Sequence, residues 1–159
     1  MSNYYYNSSR WGFGSTSSNG FSGDIRTPSS FDDRSQAGNR SSNANDHISI
    51  NSSANSSWYT ATAIGLGDNS SIYTGGGDDS IHISARATGA NTNAWAMRDS
   101  DIDTGSGDDY VSLNASTNSR RWDPAYGAEN SSIDLGDGND RLYINATANG
   151  NGWGSIKAY

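Results

Sequence analysis

The run Ile72-Tyr-Thr-Gly-Gly-Gly-Asp-Asp-Ser-Ile-His-Ile-Ser-Ala85 returns as Ile102-Asp-Thr-Gly-Ser-Gly-Asp-Asp-Tyr-Val-Ser-Leu-Asn-Ala115. It returns again as Ile133-Asp-Leu-Gly-Asp-Gly-Asn-Asp-Arg-Leu-Tyr-Ile-Asn-Ala146, at offsets of 30 and then 31 residues. A fixed period of this size marks a stacked repeat, in which each unit is one turn that buries its apolar face only against its neighbours. The expectation is an all-β chain, a parallel β-solenoid with turns of about 30 residues.

Within each unit a short strand precedes a glycine and aspartate corner, and a longer strand follows it. The longer strands alternate: Ile48 and Ile50, Ile81 and Ile83, Val111 and Leu113, and Leu142 and Ile144 fall on one face, continued inward by Ala85, Ala115 and Ala146. Period-two alternation with β-branched residues and glycine corners reads as strand, and no window has helical spacing. Polar linkers follow, each with one tryptophan: Trp58, Trp95, Trp122 and Trp153. Linker length varies, so these rings need not stack in line.

Composition alone would point to disorder. Leu, Ile, Val and Phe total 19 of 159 residues, the net charge is −7, and Ser, Asn and Gly number 29, 18 and 19. Position overrules it, because 14 of the 16 Ile, Leu and Val residues fall in the repeat or its worn copies. The result is a thin core in a polar coat. The acids are almost all Asp, 16 of 17, which suits turns and hard-cation loops. Net negative charge without a basic stripe argues against a nucleic-acid partner. The lack of cysteine removes disulfides and thiolate chemistry. No stretch approaches membrane-spanning length.

Residues 1–20, rich in Ser, Asn and aromatics, read as an irregular arm that docks on something. Residues 21–57 read as a degenerate first turn: Asp24-Ile25-Arg26-Thr27 matches Asp101-Ile-Asp-Thr104, Phe31-Asp32-Asp33 is a worn acidic corner, and the stretch includes Asn45-Asp46-His-Ile-Ser-Ile50. Regular turns then fill 58–159. Ser155-Ile156 repeats Ser71-Ile72 and Ser132-Ile133, which predicts an open turn at that end, ready to receive the N-terminal segment of another copy or of the same one. The opening Met1-Ser-Asn-Tyr-Tyr-Tyr lacks the basic start and apolar stretch of a cleaved export signal.

The corners align as Gly75-Gly-Gly77-Asp78-Asp79, Gly105-Ser-Gly107-Asp108-Asp109 and Gly136-Asp-Gly138-Asn139-Asp140. Paired glycines supply the positive φ of a tight corner. With turns stacked about 4.8 Å apart, Asp79, Asp109 and Asp140 form one column, and Asp78, Asp108 and Asn139 a second. Like charges at that spacing repel by about 1 kcal/mol per pair even in water. Two readings follow: a hard divalent cation, calcium before magnesium, sits between turns, or the carboxylates accept backbone amides with no ion.

These corners resemble the calcium-binding glycine-rich nonapeptide of the repeats-in-toxin, or hemolysin-type, family, G-G-x-G-x-D-x-U-x. The resemblance covers the three corners, with Gly65-Leu-Gly67-Asp68 a looser match, and it implies a calcium-ligand role for Asp79, Asp109 and Asp140. Only Gly65 to Ile81 sets two such motifs back to back, as that family does. The resemblance also allows export from a bacterium without a cleaved N-terminal signal.

Ser70, Ser100 and Ser131 are expected to form a hydroxyl ladder at the second corner. His47 and His82 fall in different columns of the repeat, and no nucleophile elbow is present, so the chain does not read as an enzyme. The leading expectation is a self-assembling, calcium-stiffened structural protein of an extracellular filament or bacterial surface layer. The alternative is a monomeric calcium-dependent adhesin or carbohydrate-binding module whose Trp95 or Trp122 contacts polysaccharide. An ice-binding face would need a regular threonine ladder, which Thr74 and Thr104 begin and Leu135 breaks.

Overall fold

A computed structural model describes residues 3–12, 16–26, 45–150 and 156–158. Among these the chain is all-β, without helix, and every strand pair is parallel. It is a β-solenoid of about three regular turns with a spacing near 31 residues. The strands are β1 (Asn3–Gly12), β2 (Thr16–Arg26), β3 (His47–Tyr73), β4 (Ser80–Arg98), β5 (Asp101–Asp103), β6 (Tyr110–Glu129), β7 (Ser132–Asp134), β8 (Arg141–Gly150) and β9 (Ile156–Ala158). Along one face β1, β3, β4, β6 and β8 lie side by side.

Vertical registry sets the core. Ile48, Ile81, Val111 and Leu142 form one column, and Ile50, Ile83, Leu113 and Ile144 the next. Across the section, Ile72, Ile102 and Ile133 form a third, which Ile25 joins from β2. The isoleucines of the middle turns are fully buried, and burying each such side chain contributes about 1.5–3 kcal/mol. That apolar stacking holds a chain otherwise poor in large side chains.

The linkers expected after each long strand are themselves strand. β4 continues through Arg98 and β6 through Glu129, with Ala87, Ala94 and Ala96 buried at alternate positions. Ala63, Ala94 and Ala125 stack as one alanine column there. The alternation continues through what had read as linker, but on methyl groups rather than on Ile or Val.

The N-terminal expectation also changes. The arm over 1–20 and the degenerate turn over 21–57 would divide β2, yet β1 and β2 together pair in parallel with β3. Residues 3–12 and 16–26 thus stack on the chain's own solenoid as its first layer. Asp24 and Ile25 take the places aligned with Asp101 and Ile102, as the sequence match required. Phe31-Asp32-Asp33 lies outside the described residues.

Candidate metal centre at the glycine and aspartate corner

All twelve residues expected at the corner lie on one edge, and each glycine has positive φ: Gly75 93°, Gly77 106°, Gly105 89°, Gly107 135°, Gly136 72° and Gly138 155°. Stacking makes a side chain impossible at several of them. A Cβ on Gly105 would stand 1.8 Å from Gly75 O, and one on Gly136 1.7 Å from Gly105 O. The corner backbones instead bond turn to turn: Ser106 N donates to Gly75 O at 3.0 Å and Gly77 N to Ser106 O at 2.9 Å. Asp137 N donates to Gly105 O and Gly107 N to Asp137 O, both at 2.9 Å.

The two acidic columns stand as registry requires. In the inner one, the amides of Asp46, Asp79 and Asp109 donate to Oδ1 of Asp79, Asp109 and Asp140 at 2.7, 2.8 and 2.9 Å. In the outer one, Asp78, Asp108 and Asn139 amides donate to Oδ1 of Asn45, Asp78 and Asp108 at 3.0, 3.0 and 2.9 Å. Inner carboxylates reach back to the preceding turn, whereas outer side chains reach forward to the next. Hydrogen bonds to charged groups contribute about 1.5–3 kcal/mol each, against a like-charge repulsion that is about 1 kcal/mol per pair in water and larger near protein. Asn45 and Asp46 form a further rung that sequence reasoning gave no site role. The signal was present, since Asn45-Asp46-His-Ile-Ser-Ile parallels Asn139-Asp140-Arg-Leu-Tyr-Ile.

The surroundings divide the carboxylates. Burial pushes Asp79 up to about 6, against the opposing pull of the Asp46 amide. Burial raises Asp109 in the same way. Asp108 is exposed, and the Asn139 amide and side chain hold it below the usual carboxylate range. Oδ2 of Asp79 and of Asp109 is buried without a hydrogen-bond partner.

Those two oxygens are the right donor chemistry for calcium. The rest of the corner does not form a cage: among the described residues no three His, Asp or Glu side chains gather as a metal group. A recess of about 340 Å³ on the outer column is lined by Asn45, Gly77, Asp78, Ser106 and Gly107, with a single carboxylate. Across the corner, successive turns are joined by backbone–backbone and backbone–carboxylate hydrogen bonds.

At the second corner Asn69, Asp99 and Asn130 take φ of 56°, 50° and 48°, a conformation that Asn and Asp adopt more readily than other side chains. Ser70, Ser100 and Ser131 follow them, and their hydroxyls donate to backbone carbonyls of Gly67, Leu66 with Arg98, and Glu129. Ser131 Oγ also accepts from Ser100 N at 3.3 Å, a backbone-to-hydroxyl contact between turns in place of the expected hydroxyl ladder. Thr74 and Thr104 point inward, fully buried, and donate to Thr104 O and Leu135 O at 3.1 and 3.0 Å. They form no outward face for ice.

Trp95 stacks on Tyr126, with ring centroids 5.3 Å apart and planes 4° off parallel. The Arg98 guanidinium lies 5.1 Å from its centroid, and its Nε1 donates to Glu129 Oε2 at 2.6 Å. Trp58 stands 68% exposed. The Trp122 side chain and all of Trp153 lie outside what the structure describes. The histidines, read as unrelated, meet diagonally across adjacent turns in the order Tyr5, His47, His82, Tyr110, with centroids 5.8, 5.4 and 5.4 Å apart. Burial and the neighbouring His47 lower the His82 pKa.

No family model matches the chain, and no curated protein or solved structure is significantly similar to it.

Proposed function

We infer that this is a non-enzymatic structural protein that associates end to end into a filament or surface layer outside a bacterial cell. One observation carries the reading: the two outer strands of the stack, β1 and β8, are both ten residues long and occupy the same ladder. Through β3, β4 and β6, Asn3 shares its column with Arg141, and Gly12 shares its column with Gly150. Among the described residues neither strand is paired on its outer edge. Such edges present a row of unmatched backbone donors and acceptors. On β8, Leu142, Tyr143 and Ile144 are 46, 51 and 46% exposed, although Leu142 and Ile144 continue columns buried in the turns below.

A second copy laid with its β1 on this β8 extends the sheet without a change of register and covers those side chains. The contact joins unlike surfaces, head to tail, which propagates into an open string where the rotation does not close. The outward location rests on the resemblance of the corners to secreted calcium-binding repeats.

The absence of cysteine makes the contact testable. Tyr5 and Tyr143 share a column but lie four layers apart within one copy, too far for an internal disulfide. The double variant Tyr5→Cys, Tyr143→Cys is expected to give a covalent ladder of multimers on oxidation, and the offset pair Asn7→Cys, Tyr143→Cys a much fainter one. A single monomeric species by sedimentation at high concentration, with calcium present, overturns the proposal.

Calcium is a second reading, favoured by the buried, unpartnered Oδ2 atoms of Asp79 and Asp109. In this reading those oxygens hold the ion between turns and its charge offsets theirs. Calcium is then expected to raise the melting temperature relative to chelated protein, and to do so less in Asp109→Asn. Identical melting with calcium and with chelator sinks this reading while leaving the assembly proposal standing.

A further inference from the structure

The bend where β3, β4 and β6 turn over Ser56–Thr60, Gly89–Asn91 and Ser119–Trp122 is the least regular part of the stack. Between paired positions β3 takes four steps, Ser56 to Thr60, where β4 takes two, Gly89 to Asn91. The surplus residues swing outward and carry Trp58 into solvent. Beneath it lies an open groove of about 440 Å³, lined among others by Asn55, Trp58, Thr88, Gly89, Asn118 and Arg120. That volume falls within the range of small-ligand sites.

The lining has a consistent chemistry. Asn55, Thr88 and Asn118 form one column across three successive turns, so amide and hydroxyl groups recur about every 4.8 Å along the axis. Gly89 leaves the floor bare, since a Cβ there would lie 2.7 Å from Ser56 O. Trp58 supplies a broad apolar ring at the rim. Trp95 cannot serve in the same way, because Tyr126 and Arg98 lie against its ring. Among the described residues Arg120 is the only charged group in the lining and no carboxylate lines it, although the chain has 17 acids and a net charge of −7.

We propose that this groove binds an acidic polysaccharide, a sugar chain bearing uronate carboxylates. Trp58 covers the C–H face of a sugar ring, as aromatic side chains with a large apolar area do. The repeated amides and hydroxyl of Asn55, Thr88 and Asn118 serve successive sugar hydroxyls. The Arg120 guanidinium, whose planar fork matches a carboxylate, selects the acidic sugar. The groove lies on the side of the turns rather than at β1 or β8, so it stays accessible whether or not copies stack, and the site does not depend on the assembly reading.

The test is calorimetric titration of the full chain, at a concentration where sedimentation shows one species, with oligogalacturonate, oligoalginate and a neutral cello-oligosaccharide as probes. Saturable binding is expected for at least one acidic probe and much weaker binding for the neutral one. Trp58→Ala and Arg120→Gln should each lower the affinity at least about tenfold, with circular dichroism unchanged because both side chains are exposed. Failure of both acidic probes to bind overturns the proposal. Equal affinity for the neutral oligomer, or wild-type affinity in Trp58→Ala, overturns it as well.

Discussion

At Asp79 the two carboxylate oxygens meet different surroundings. Oδ1 accepts the Asp46 amide, while Oδ2 is buried without a partner, and burial raises the pKa to about 6. A carboxyl whose folded value lies above its unfolded one holds its proton more tightly in the native state. Its contribution therefore favours folding at low pH and is lost as the pH rises through about 6. Asp79→Asn keeps the Oδ1 acceptor and removes the buried charge. In chelated protein this variant is expected to melt above the wild type at pH 7.5, with the difference shrinking towards pH 4, as a series of thermal melts would show. His82 acts in the opposite sense, because its lowered value resists protonation in the native state. It is present in both proteins and largely cancels in the comparison. A wild type that is the more stable at pH 7.5 would remove the assigned cost of the buried charge.

Among the strands, β4 carries the lesson about what a sequence displays. Ala94 is fully buried in a column between Ala63 and Ala125. Ala94→Leu should lower stability by about 1–3 kcal/mol through overpacking, read as a fall in the urea midpoint with little change in slope. The corner-proximal half of each turn was legible in advance because Ile, Val and Leu are conspicuous at period two and Gly-x-Gly-Asp marks the bend. The alanine half was not, since Ala, Ser and Thr alternate inward there with the composition of a loop. The acidic columns were placed correctly from spacing alone. That Oδ1 of each inner carboxylate accepts an amide of the preceding turn was not legible, because spacing places a residue in a column without fixing where its side chain points. The meeting of His47 with His82 was missed for a similar reason: adjacent columns on adjacent layers approach diagonally, and an alignment of columns records only vertical neighbours.

For the molecule as a whole, the proposed end-to-end association turns on the two outer strands. Ile144 is half exposed on β8 and sits above the buried Leu113. Ile144→Asp is expected to change the stability of the isolated chain by about 1 kcal/mol or less, while abolishing long assemblies in sedimentation and electron microscopy, because it sets an unpaired charge in a junction that would otherwise be apolar. Persistence of long assemblies in this variant would exclude β8 as the joining surface. Parallel pairing throughout has one more consequence. Every layer climbs in the same sense, so a string of copies is vectorial, with one tip that only presents β1 and another that only presents β8. A trace of copies blunted at β8 would dock by their intact β1 and then arrest growth at that tip, leaving the opposite tip free to lengthen.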